Sequence, residues 1–81
     1  MRAFLEFIAH ALLDDPSSVQ IKEVRRGPVV KYFMKVPQAE MGRLIGRDGH
    51  LAEAIRQVMR AAAPPHRKVD LRIEPLDGAS D

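Results

Sequence analysis

Three stretches of this chain space their apolar residues for a helix, and three alternate them for a strand. Phe4, Leu5, Ile8 and Leu12 stand at i, i+1, i+4 and i+8, the stripe of a helix over 2–14. Phe7 and Ala11 widen that stripe, giving the helix apolar surface for more than one neighbour. Asp14-Asp15-Pro16 ends it, because a residue before proline is pushed out of the α region. Over 18–25, Val19 and Ile21 face one way and Gln20 and Lys22 the other, a strand; Val24 breaks the alternation and predicts a bulge or the strand's end. Arg25-Arg26-Gly27-Pro28 is a turn. Over 29–36, Val30, Tyr32, Met34 and Val36 share one face, and Val29, Lys31, Phe33 and Lys35 the other. The short connection makes these two strands an antiparallel hairpin.

Helical spacing returns after Pro37. Met41, Leu44 and Ile45 mark a helix over 38–45, and Leu51, Ile55, Val58, Met59 and Ala62 mark one over 49–63 that Pro64-Pro65 stops. Between them lies Gly46-Arg47-Asp48-Gly49. The second helix opens at this bend, where its first N–H groups lack internal partners and its dipole places partial positive charge. Glycines there leave room for a phosphate to reach the backbone. Over 67–74, Val69, Leu71 and Ile73 alternate with Lys68, Asp70, Arg72 and Glu74, so one sheet face is buried and the other wet.

The order is α-β-β-α-α-β. Three short strands need their apolar side covered, and three amphipathic helices can cover it. This predicts an α+β, two-layer fold: a three-stranded sheet with the helices packed on one face. It forms one domain over 1–75, followed by a small, polar, disordered tail over 76–81.

Composition narrows the class further. The chain has 81 residues, 46% of them hydrophobic, and no cysteine, which removes disulfides and thiolate metal sites and fits a cytoplasmic protein. It contains no apolar run long enough to span a membrane. The net charge of +2 is unevenly spread: residues 22–35 carry Lys22, Arg25, Arg26, Lys31 and Lys35 against Glu23, and residues 36–60 carry Arg43, Arg47, Arg56 and Arg60 against Glu40, Asp48 and Glu53. Cations gathered about the glycine bend point to an anionic partner.

Gly42, Leu44-Ile45-Gly46, Gly49 and Ile55 together resemble the signature of KH domains, which clamp about four nucleotides of single-stranded RNA at such a bend. The element order resembles the bacterial-type, or type II, KH domain, and at full length the chain is similar to the KhpA family of small bacterial single-KH proteins. Two positions depart from the pattern: Ala52 stands where a larger aliphatic is common, and Asp48 puts an acid in a loop that often carries Lys or Arg. The resemblance implies an RNA-binding protein, a chaperone tied in some bacteria to cell shape and cell-wall synthesis. Its partners would be single-stranded RNA and either a second copy or a KhpB/Jag-type KH protein. It implies that Gly46 and Gly49 admit the RNA backbone, that Arg47 and the N–H groups of Asp48 and Gly49 hold phosphates, and that Leu44 and Ile45 divide between core and groove floor. Lys31, Phe33 and Lys35 of the second strand would form the opposite wall, with Arg43 and Arg56 as further phosphate contacts.

Phe4, Phe7, Tyr32 and Phe33 are the only aromatics, and two of them lie in the first helix, so stacking platforms are scarce and sequence preference is expected to be loose. His10, His50 and His66 are scattered without metal-ligand spacing or a neighbouring nucleophile, and Gly-Arg-Asp-Gly lacks the Lys-Ser/Thr of a nucleotide-binding loop. No enzyme, metal or cofactor is expected. The competing reading is a protein-interaction module with a degenerate KH fold, motivated by Asp48 and Ala52.

Overall fold

The computed structural model describes residues 1–76. Its elements are α1 (Arg2–Leu12), β1 (Gln20–Arg26), β2 (Val29–Val36), α2 (Met41–Ile45), α3 (His50–Ala62) and β3 (Lys68–Pro75), with single 3-10 turns at Pro16–Ser18, Gln38–Glu40 and Arg47–Gly49. The order is the expected one. The sheet runs β1-β2-β3, with β1 and β2 antiparallel and β2 and β3 parallel. The strand order follows from the connections. A hairpin keeps β1 beside β2, while the α2–α3 crossover returns the chain parallel to β2 on its free side.

All three helices cover one face. Leu5 and Ala9 of α1, Leu44 of α2, and Ile55 and Met59 of α3 form one cluster with Val30, Tyr32, Met34 and Val36 of β2 and Leu71 of β3. Leu5, Met34, Leu44, Met59 and Leu71 are at most 1% exposed, and each such burial stabilises the fold by about 1.5–3 kcal/mol. This is the two-layer arrangement expected of a type II KH domain. Val69 and Ile73 also face inward but sit at the sheet edge, half-buried.

Several local expectations are corrected. The first helix stops at Leu12, because Leu13 takes extended backbone and is buried, its N–H donating to Ala9 at 3.0 Å. Val24 makes no bulge: pairing is continuous from Gln20 opposite Lys35 to Arg26 opposite Val29, and Val24 simply stands on the outer face opposite Lys31. The helix expected over 38–45 is a 3-10 turn followed by only five α residues. On α3 the buried line is Ala52, Ile55 and Met59, with Leu51 half-buried; Val58 (51% exposed) and Ala62 point outward. Ala52, small where a larger aliphatic is common, is itself buried at 4% exposure. The tail expected to be disordered lies outside the described residues, except Leu76, whose N–H donates to the Val36 carbonyl at 2.8 Å.

Candidate nucleic-acid interface

The glycine bend joins α2 to α3 through backbone that ordinary residues avoid. Gly46 has φ 74° and Gly49 φ 78°, and Asp48 between them has φ 57°, ψ 24°. Asp and Asn are the side chains best tolerated in that left-handed region. The acid that departs from the KH pattern thus sits where the backbone favours it over Lys or Arg. The bend is closed by Gly46 donating to Gly42 at 2.9 Å and Gly49 donating to Gly46 at 3.3 Å. The two glycines differ. A Cβ on Gly46 would strike Leu51 of the protein itself, whereas one on Gly49 would meet nothing within 4 Å. Gly46 is therefore required by the bend itself, whereas the space over Gly49 is open.

No side chain caps the start of α3. Two N–H groups at this junction are used internally, that of Gly49 by the Gly46 carbonyl and that of His50 by the Arg47 carbonyl, so the Gly49 N–H expected to hold a phosphate is already donated; the helix dipole still adds partial positive charge there. Arg47 is exposed beside them and has no carboxylate within ion-pair distance among the described residues. Leu44 is wholly buried and Ile45 half-buried, which settles how those two divide: Leu44 belongs to the core, and Ile45 is the one left at the surface.

From the bend, α3 runs alongside β3, and the two elements border a cleft of about 490 Å³. Arg56 lines it, two helical turns or about 10 Å beyond Gly49. Its guanidinium is already engaged: Nε donates to the Leu71 carbonyl at 3.0 Å and lies 3.8 Å from Asp70, while Nη1 is 3.6 Å from Glu53. Arg60 bridges the same two carboxylates, at 3.2 Å to Glu53 and 4.0 Å to Asp70. Asp70 also accepts the Leu71 N–H at 2.9 Å. The outward N–H and C=O of Leu71, which an edge strand leaves unpaired, are thus satisfied by Asp70 and Arg56. Arg43 lies elsewhere, 3.0 Å from Asp14 at the end of α1.

On the sheet side the cleft is bordered by β3, the edge strand, with Lys31 of β2 at its rim. A hairpin alone gives no strand order, and β2 proves to be the centre of the sheet. Lys31, Phe33 and Lys35 do share a face, the outer one. Lys31 reaches the rim of the α3–β3 cleft; Lys35 lies in a separate depression with Lys22, Phe33 and Glu74. Arg60 and Arg72 also line the cleft and were not among the expected contacts. Arg60 is legible as the residue one turn beyond Arg56 on α3, and Arg72 as an outer position of the β3 alternation. Among the described residues no group of acids and histidines could hold a metal ion, and no helix is long and apolar enough to cross a membrane.

Comparison with known proteins identifies the family. The family model described as KhpA/KhpB, KH domain matches residues 2–74. The chain is 41% identical to the RNA-binding protein KhpA of Clostridium acetobutylicum over 68 residues, covering 84% of this chain and 91% of that one. It is 34% identical to the protein of the same name from Halalkalibacterium halodurans over 77 residues (95% and 100% covered), and 34% identical to that of Chlamydia trachomatis over 74 (90% and 95%). No solved structure gives a significant match. With a KH signature at a left-handed bend, the matching element order and a match over nearly its whole length, the chain belongs to the KhpA/KhpB family of KH-domain proteins, which is not an enzyme family.

Proposed function

We propose that this protein binds single-stranded RNA and clamps its sugar-phosphate backbone at the Gly46–Gly49 bend. One observation carries the reading: a helix start with no side-chain cap, reached through left-handed backbone, with open space over Gly49 and an exposed Arg47 that has no ion-pair partner among the described residues. Phosphate oxygens fit such a site because backbone N–H groups and the helix dipole both favour negative charge. Ile45 supplies apolar floor beside it. Arg56 is spoken for by Leu71, Asp70 and Glu53 and acts in this reading as the clasp of the groove wall, not as a phosphate ligand.

Binding of this kind is weak and sequence-tolerant, as suits an RNA chaperone, and gains from a second RNA-binding unit through effective concentration. The surface offers apolar residues for such an assembly. Phe7 on α1 is 66% exposed and Val58 on α3 is 51% exposed. A second copy or a KhpB/Jag-type KH protein is the partner this reading assigns to them.

The test is titration of single-stranded RNA at low salt with wild type and Arg47→Asp. The wild-type log K should fall with log salt by ~0.7 per phosphate held, about 2–3 in total. Arg47→Asp should abolish binding while leaving unfolding unchanged within about 0.5 kcal/mol, because position 47 is exposed. Unchanged binding would remove the loop as the clamp and favour a protein-interaction module.

A further inference from the structure

Every lysine of this chain lies on one surface. Lys22, Lys31, Lys35 and Lys68 are its lysines, and strand register puts them all on the sheet face turned away from the helices. Lys22 is opposite Phe33, Lys31 opposite Val24 and Asp70, Lys35 opposite Gln20 and Glu74, and Lys68 opposite Val29. Arg26 and Arg72 share that face, opposite Val29 and Phe33. Among the described residues only two carboxylates accompany these cations, and both are on β3. Asp70 is drawn over the edge, accepting the Leu71 N–H and facing Arg56 and Arg60, while Glu74 lies 3.8 Å from Arg72. The outer positions of β1 and β2 carry no acid.

The cations surround an apolar centre. Val24, Val29 and Phe33 are half-buried on this open face. Val24 and Phe33 are shared by two adjoining depressions, of about 300 Å³ and 260 Å³. Phe33 stands between Lys22 and Arg72 on the neighbouring strands. An aromatic ring flanked by cations on a flat, acid-poor sheet can stack a base while the phosphates on either side meet ammonium and guanidinium groups. The face is also continuous with the α3–β3 cleft, because Lys31 and Arg72 line that cleft too.

We propose that this open sheet face is a second RNA-binding surface, which takes up a single strand as it passes the β3 edge from the groove. The proposal rests on the reading that RNA enters at the glycine bend. Charge chooses the occupant. A polyanion is complementary to the face, whereas a second copy applied about a two-fold axis would set the same lysines against one another.

The experiment compares an RNA of about four nucleotides, the length a KH bend clamps, with one of about twelve, long enough to reach a second surface. Both are titrated against the full chain by amide chemical shifts and as a function of salt. In wild type the longer RNA should shift the amides of Lys22 and Phe33, which the shorter leaves unmoved, and its salt slope should be steeper by about 1.4, two added phosphate contacts at ~0.7 each. Lys22→Gln with Arg26→Gln should bring the longer RNA's slope down to that of the shorter, leave the shorter RNA's affinity within about twofold, and leave thermal unfolding unchanged. Equal slopes for the two RNAs in wild type overturn the proposal while the clamp stands, as does a double variant whose slope does not change. Loss of a dimer in the double variant, seen by sedimentation, also overturns it and makes the face a protein interface. Unchanged binding of the shorter RNA by Arg47→Asp overturns the clamp, while a steeper slope for the longer RNA in that variant keeps the face. Failure of both RNAs to bind overturns both.

Discussion

Gly46 and Leu51 approach so closely that no side chain fits between them: a Cβ on Gly46 would stand 2.6 Å from the Cβ of Leu51 and 3.0 Å from its backbone nitrogen. Gly46→Ala must also hold φ at 74°, which costs an L-residue about 1–2 kcal/mol. Displacing Leu51 adds an overpacking cost of roughly 1–3 kcal/mol. Denaturant unfolding of Gly46→Ala should therefore show a loss of at least about 2 kcal/mol, the sum of the low ends. Gly49→Asn has open space and a residue tolerant of left-handed backbone, and should stay within about 1 kcal/mol of wild type. Equal losses at the two glycines would contradict the geometry.

Leu71 is 1% exposed at the centre of β3. Leu71→Ala should cost about 2–5 kcal/mol in unfolding free energy, because the truncation leaves a cavity among Met34, Ile55 and their neighbours. Val58→Ala, on the outer side of α3, should change stability by less than about 0.5 kcal/mol. A small effect at Leu71 would mean that the inner face of β3 is misassigned.

The inner and outer faces of the sheet were legible in the sequence because strand side chains alternate with period two, and β2 and β3 keep that alternation without interruption. Strand order was not, since it depends on which side of the hairpin the helical crossover returns. Leu44 and Ile45 could not be divided because α2 has only five α residues, too few turns to fix the phase of a stripe. Arg56 carried a sequence signal for Glu53, three residues earlier on the same helix. Its partners on β3 arrive only when the edge strand folds alongside α3.

Arg56 and Arg47 should therefore separate stability from binding. Arg56→Ala removes the donor to the Leu71 carbonyl, and a hydrogen bond of this kind is worth about 1 kcal/mol net. Its ion pairs add little at that exposure. The expected result is a lowered unfolding free energy with the salt slope for a short RNA unchanged. Arg47→Ala should do the reverse, losing about one phosphate contact, ~0.7 in slope, at constant stability. A slope that falls with Arg56→Ala would make Arg56 a phosphate ligand after all.

Asp48 is the residue whose chemistry runs against its place. Its carboxylate stands in the bend, next to the uncapped start of α3, where a phosphate would come. Its backbone, at φ 57°, needs a side chain tolerant of the left-handed region. Asn meets the second condition without the charge, so Asp48→Asn should keep the bend and remove the repulsion. Two unit charges about 4 Å apart interact by ~1 kcal/mol in water, which corresponds to about fivefold in affinity. RNA titration at low salt should show tightening of about that size for Asp48→Asn, shrinking as added salt screens the carboxylate. Unfolding should stay within about 0.5 kcal/mol of wild type, because the side chain is exposed. Asp48→Lys supplies the opposite charge but must force a long side chain into left-handed backbone, at a cost of up to about 1–2 kcal/mol in stability. Part of its binding gain should therefore be offset by a looser bend. If Asp48→Asn binds RNA no more tightly than wild type across the salt range, the phosphate does not lie at the bend, and the contacts that hold RNA must be sought on the cleft and the lysine face.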